Sequence, residues 1–468
     1  YNIYVMLAFS NIKAKIISTQ VYWLILAFFS VRLLSFTLRD AVFLQGLVVI
    51  SALIILIYLF NKNWHYALQF LLAEYLLGGV GHFFELTDMS LRTLLTIVFL
   101  ILYFSYSLKH KELLQLPKKI VYSLSIFFVI IFAAALIGWQ NHNPLPLIIQ
   151  DLIPIIFIFL IFPLYHFWKN KNNKIFLARL LFVWLISSAS WTLFNFILFT
   201  TDLAVLHQPY YNWLRDFALA KITASSIYFW RIVFPEQLLL VPVILIISTA
   251  WLKYKHNFYL VLLLLSGLIF SLNISRAYIL GLLLGLLILK YKNSWRSWFK
   301  ILILNILIIF SIFTIINIVS SQGADNGWGI LGIKFRGITA PQTEVSSQSR
   351  MELLPPIVDM IKDAPILGQG LGQSVITDEI NTRHFDWGWF EIWIKWGLAG
   401  LLFTLILLGF LMKRVFEQTK NQELYLGLLA SVLAIMLINI TTPAIFHIFG
   451  ILYFITIVSW IYYHEQLV

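Results

Sequence analysis

The feature that most constrains this chain is a run of eighteen residues, Ile120 to Ile137, without a single charge. A membrane-spanning helix needs about 20 mostly apolar residues. Runs of that kind recur from one end of the chain to the other. Fourteen candidates lie near 16–38, 41–60, 64–85, 90–108, 119–139, 145–168, 175–200, 231–251, 257–274, 276–290, 298–319, 388–412, 423–440 and 443–463. Two are weak spans: 64–85 carries Glu74, Gly78, Gly79 and Gly81, and 276–290 is short. A transmembrane barrel would show alternating segments of about ten residues instead. Composition agrees with helices in lipid, because apolar residues are 60% and charged residues 12% of the chain. Soluble domains have roughly 45–50% and 25%. A soluble enzyme is excluded, and 40 Phe, 17 Trp and 21 Tyr exclude disorder. With no Cys there is no disulfide framework, thiolate metal site or thiol nucleophile. The expected fold is all-α: a polytopic membrane helix bundle of about fourteen spans, one membrane domain over 1–468.

The net charge of +12 suggests nucleic acid at first sight, but in a membrane protein it reads as an orientation signal. Of 33 Lys and Arg, 20 fall in clusters in every second loop, such as Lys109, Lys111, Lys118 and Lys119, or Lys290, Lys292, Arg296 and Lys300. By the positive-inside bias both termini are expected in the cytoplasm. The other side then holds two long hydrophilic segments, 201–230 and 320–387. The larger is rich in Gly, Ser, Gln, Asp and Pro, and a loop of that length inside a compact protein is usually functional. Leu353, Leu354, Ile357, Val358 and Ile361 follow helical spacing within 350–362, with Pro355-Pro356 placing the start of that helix near the pair.

The remaining thirteen positives are Arg32, inside the first span, and twelve on or near the outer side: Arg39, Arg92, Arg215, Lys221, Arg231, Arg276, Lys334, Arg336, Arg350, Lys362, Arg383 and Lys395. Nine of the thirteen are Arg, the better bidentate partner for phosphate. As a set they point to an anionic ligand at the outer leaflet, whereas a single loop Arg is ordinarily a headgroup contact. Arg276 is the sharpest case. It follows Asn273-Ile274-Ser275, a short break between two apolar runs that must cross twice in about 34 residues. Ionisable residues at such depth are functional by default, with a snorkelling helix-end Arg as the alternative. Arg231 opens the 231–251 run, close enough in sequence to Glu236 for a structural ion pair. In the long loop, Gly368, Gly370 and Gly372 form a glycine run that can cradle phosphate through backbone N–H groups but alone reads as a turn. It fits neither nucleotide fingerprint. Arg383, His384, Asp386 and Glu391 follow, and the last three are candidate bases, with His best suited to neutral pH.

Together these motifs resemble the O-antigen ligase and polymerase superfamily, integral-membrane glycosyltransferases of bacterial surface polysaccharides. Three features carry the resemblance. One is the tight hairpin at Ser275-Arg276, followed by Gly281 and Gly285. The second is the long outer loop with an Arg-led helix, Arg350 to Lys362, and Pro365-Ile366-Leu367-Gly368-Gln369-Gly370-Leu371-Gly372. The third is the polar-aromatic entry into the next helix, closing with Gly397-Leu398-Ala399-Gly400. The resemblance implies a GT-C-like bundle in the bacterial inner membrane with its site facing the periplasm or outside. It implies inverting, metal-independent transfer of a glycan from undecaprenyl diphosphate, without a cofactor, onto a glycan or lipid acceptor. Membrane lipids and a chain-length regulator are the other partners to expect, and nucleic acid is not one.

Arg276 and Arg350 match family positions, and Arg231 matches by location; the three are the expected diphosphate ligands. Catalysis falls to Arg276 with His384 or Asp386 as base, supported by Arg383, Glu391, Gly368 and Gly370. Ligases usually carry a His-Asn pair where this chain has Asp386-Trp387. That departure, with fourteen spans, favours a polymerase over a ligase. A transporter of lipid-linked sugars is the reading from another class, but no pair of related halves with interrupted helices is visible.

Overall fold

The computed structural model describes all residues except 1–18, 80–81, 87–88, 202, 341, 343–344, 377–380, 383–384, 420–423 and 466–468. In the bilayer a chain satisfies its backbone polar groups within helices, and each of the fourteen apolar runs is helical here. They are α1 (Thr19–Thr37), α2 (Val42–Lys62), α3 (Trp64–Leu77), α4 (Leu91–Lys109), α5 (Lys118–Gln140), α6 (Leu145–Phe167, with a 3₁₀ turn inside), α7 (Lys171–Thr200), α9 (Pro235–Tyr254, opening as 3₁₀), α10 (Asn257–Asn273), α11 (Arg276–Ile288), α12 (Trp295–Ser320), α15 (Gly388–Thr419), α16 (Leu424–Ile438) and α17 (Ile448–Glu465). Among the described residues nine of these are long and apolar enough to cross a membrane. The connecting segments add the two-residue strands β1 (Glu85–Leu86) and β2 (Met89–Ser90) and the helices α8 (Ala204–Asp216), α13 (Trp328–Thr339) and α14 (Val345–Asp363). The protein is an all-α polytopic membrane protein with a partly helical long loop, as expected.

Helix α16 is the centre of the bundle. Leu426, Ala430, Val432, Ala434, Ile435 and Ile438 are fully buried, against α9 and α11. Small residues permit this approach. A Cβ on Gly281 or Gly285 of α11 would run into Ile438 or Leu245, and one on Gly427 would meet Thr249. Close backbone approach at small residues drives helix association where lipid is as apolar as Leu. Peripheral helices do the reverse: Val42, Phe43, Val129 and Phe132 lie exposed on α2 and α5, where hydrocarbon would cover them.

Two arginines buried inside the bundle are paired with carboxylates. Arg32 of α1 meets Glu236 at 3.4 Å, both fully buried, and donates to the Leu77 carbonyl at 2.6 Å. Arg92 meets Glu74 at 3.1 Å and donates to the Tyr75 carbonyl. Two of the thirteen positives outside the Lys clusters are therefore tied into the frame of the bundle.

The structure departs from expectation in two places. The span expected to open at Arg231 begins instead at Pro235. Residues Phe229–Val233 form a strand, β4, paired antiparallel with β3 (Lys221–Ser226), with Thr223 opposite Arg231. The apolar letters of Phe-Trp-Arg-Ile-Val serve a half-buried strand as readily as a helix start. Helix α14 begins at Val345 and runs through Pro355-Pro356. Proline removes an N–H donor but keeps φ near the helical value, so the pair did not mark the start.

Candidate active site

The break between α10 and α11 gathers the membrane arginines. Ile274 adopts a left-handed conformation at φ 40° and ends α10, and Ser275 leads into α11. Thirteen residues at 1.5 Å each make α11 about 20 Å long, against a hydrocarbon core of ~30 Å. Lys290 and Lys292 stand just past its other end, so Arg276 is separated from that Lys cluster by about 20 Å of helix. Arg231 reaches the same break from β4. Its Nε donates to the Asn273 carbonyl at 2.6 Å. Asn273 is fully buried and donates through Nδ2 to Gln237 Oε1 at 2.7 Å, and Gln237 donates to Thr192 Oγ1 at 3.1 Å. A polar chain through three helices therefore fixes the carbonyl that holds Arg231. The alternative sequence partner, Glu236, is the buried partner of Arg32.

The long loop comes down on this break. Arg276 Nη1 donates to Ser347 Oγ at 2.5 Å. Ser347 in turn donates to the Gly337 carbonyl of α13 at 3.1 Å, so one hydroxyl joins α11, α13 and α14. Arg350 stands one helical turn after Ser347 on α14. Its Nε lies 3.4 Å from Asp386 Oδ2, and its carbonyl accepts from Trp387 Nε1 at 3.1 Å. Leu353, Ile357, Val375, Phe385 and Ile394 form a small separate core beneath this contact. Arg231 and Arg276 thus share the break between α10 and α11, Arg276 touches α14 through Ser347, and Arg350 on that helix pairs with Asp386. Arg383 and His384 lie outside the described residues.

Glu391 and the glycines sit in a different arrangement. Lys395, 5% exposed, bridges Glu391 at 2.7 Å and Asp151 of α6 at 2.9 Å. Asp151 also accepts the Gly372 N–H at 2.8 Å. Three more N–H groups of the run are engaged: Gly368 with the Ala364 carbonyl at 3.0 Å, Gln369 with Ile394 at 2.6 Å and Leu371 with Ala134 at 3.0 Å. Gly370, at φ 84°, packs so closely on Gly138 of α5 that a Cβ would overlap it. The run laces the loop onto α5 and α15, and its N–H groups at Gly368, Gln369, Leu371 and Gly372 already have acceptors. Among the described residues no group of His, Asp and Glu side chains is placed to hold a metal ion.

Several residues of this framework escape sequence reading. Asp151 is a charge within an apolar run, which is a signal in itself, and its partner Lys395 already stood among the outer positives. Ser347, Gln237 and Asn273 are ordinary polar residues with no such mark.

Residues 259–405 match the O-antigen ligase family. The resemblance to the O-antigen ligase and polymerase superfamily therefore holds over about a third of the chain. The matched O-antigen ligase segment runs from α10 into α15 and encloses Arg276, Arg350, Asp386 and the glycine run, while Arg231 and Asp151 come from outside it. No curated protein matches the chain.

Proposed function

We propose that the protein is a polysaccharide polymerase that lengthens a lipid-linked glycan on the outer face of the bacterial inner membrane, drawing on an undecaprenyl-diphosphate donor. The observation that carries this reading is the contact of Arg276 with Ser347. It joins the arginine break to the loop helix bearing Arg350, and through Arg350 to Asp386.

The chemistry follows from those groups. The diphosphate of the donor lies against Arg231, Arg276 and Arg350. The acceptor hydroxyl gives its proton to Asp386 or His384 and attacks the anomeric carbon from the face opposite the diphosphate. The carbon–oxygen bond to phosphate breaks, and the electron pair leaves on the diphosphate. Preorganised guanidinium groups stabilise that charge most strongly as it develops. The stereochemistry inverts because one displacement takes place. The covering loop keeps water from competing with the acceptor.

The match to the O-antigen ligase family supports a second reading, a ligase that attaches finished polymer to lipid A-core. The product decides between the two. In a strain lacking the gene, the wild-type chain is expected to restore longer lipid-linked glycans, and Arg276→Ala to restore none. Glycan on lipid A-core would replace the polymerase reading with the ligase one. Full transfer by Arg276→Ala would remove the diphosphate role.

A further inference from the structure

A cavity of about 530 Å³ runs between α5, α15 and α17, and none of the candidate site residues lines it. Its size is within the ~300–1,000 Å³ of small-molecule sites. Leu124, Phe127, Leu408, Leu411, Phe454 and Ile455 form its walls. Tyr122 and Phe410 flank it and are 66% and 62% exposed, so it opens laterally toward lipid.

The two ends differ. At one, Phe446 lies 4.2 Å from Trp396 and stacks on Phe127, so that aromatic rings close the groove. At the other, the lining residues are Lys119, Arg414 and Tyr462. Lys119 is the second residue of α5, whose N-terminal end adds partial positive charge. Glu417 pairs with Arg414 at 3.5 Å with both side chains partly exposed, and a pair open to solvent is worth only about 0–1 kcal/mol. Lys118 and Lys413 are the sequence neighbours of Lys119 and Arg414. Among the lining residues the two cations, Lys119 and Arg414, both stand at this end.

Depth narrows the occupant. Thr404 to Arg414 is ten residues of α15, about 15 Å of rise, or half of a ~30 Å hydrocarbon core. The groove accommodates chains of one leaflet with an anion at the Lys-rich edge. A polyprenyl donor would have its diphosphate at the Arg276 break, on the opposite side of the bundle.

We propose that this groove binds an acidic glycerophospholipid of the Lys-side leaflet, with an acyl chain between α5, α15 and α17 and its phosphate at Lys119 and Arg414. The test is native mass spectrometry of the detergent-purified full chain with phosphatidylglycerol, phosphatidylcholine or undecaprenyl phosphate. Phosphatidylglycerol is expected to be retained about tenfold over phosphatidylcholine. K119A/R414A should erase that preference, and Leu408→Trp, which fills the groove, should lower retention of both lipids. Ile101→Trp, on an exposed face of α4, should change neither. Equal retention of the two phospholipids by the wild type overturns the proposal. So does a preference indifferent to K119A/R414A, or displacement of phosphatidylglycerol by equimolar undecaprenyl phosphate. Lys119 is exposed and Arg414 half-buried, so the test does not depend on Leu408→Trp folding.

Discussion

Arg350 can serve only one anion at a time. In the free protein its guanidinium faces Asp386 at 3.4 Å, and under the proposed function it also faces the donor diphosphate. A dianionic ligand competes for the guanidinium with the carboxylate, and the carboxylate so released is available to take a proton. If Asp386 is the base, Asp386→Asn should lower kcat by about 10²–10⁴-fold, the usual contribution of a general base, with donor KM little changed. His384→Ala should then keep most of the activity. The opposite pattern assigns the base to His384. Arg350→Ala should raise donor KM as well as lower kcat, since it removes a contact made before and during the displacement. Steady-state kinetics on the purified protein separates these outcomes. The charged letters of this site were legible in the sequence because arginine on the side away from the Lys clusters is out of place. Their mutual contacts were not, because Arg276 and Ser347 are 71 positions apart.

At the scale of elements, the breaks matter more than the helices. Inside α15, Gly397 has φ 68° and ψ −176°, a conformation that other residues reach only with strain. A Cβ there would overlap the Ile366 carbonyl. The kink lets Gly368 and Gly397 backbones meet, and through them the loop docks on α15. Gly397→Ala is expected to destabilise by at least about 1–3 kcal/mol and to cut transfer activity as the loop shifts. Thermal unfolding in detergent measures the first, and product yield the second. The buried pair behaves differently. Glu236→Ala leaves the Arg32 charge unpaired among Phe28, Phe83 and Trp191, at a cost of about 3–5 kcal/mol. The double variant R32M/E236L should recover much of that, because apolar replacement of both partners removes the uncompensated charge. A double variant as unstable as Glu236→Ala would show that Arg32 and Glu236 act separately. Helix positions were readable from apolar runs alone, since lipid leaves a span few alternatives. The β3–β4 hairpin was not, since five residues of mixed apolar pattern do not distinguish a strand from a helix end.

Over the whole molecule, Lys and Arg divide by side. The Lys clusters sit at one set of helix ends, between α4 and α5, α6 and α7, and α11 and α12, while α13, α14 and the Arg276 break sit at the other. A polyprenyl diphosphate glycan presented outside can reach the Arg set only if the positive-inside bias holds for this chain. Since the chain contains no cysteine, single cysteines report sidedness without background. Asp363→Cys, exposed at the end of α14, should react with an impermeant maleimide added to intact spheroplasts. Lys111→Cys, exposed between α4 and α5, should react only after permeabilisation. The reverse labelling would place the arginine break in the cytoplasm, where an externally presented donor cannot reach it, and the proposed polymerase would fail with it. Labelling of both residues in intact spheroplasts would show that the loops are not separated by a bilayer as the charge pattern requires. Sidedness is thus a property of the whole molecule on which the proposed roles of the arginine site and the covering loop both depend.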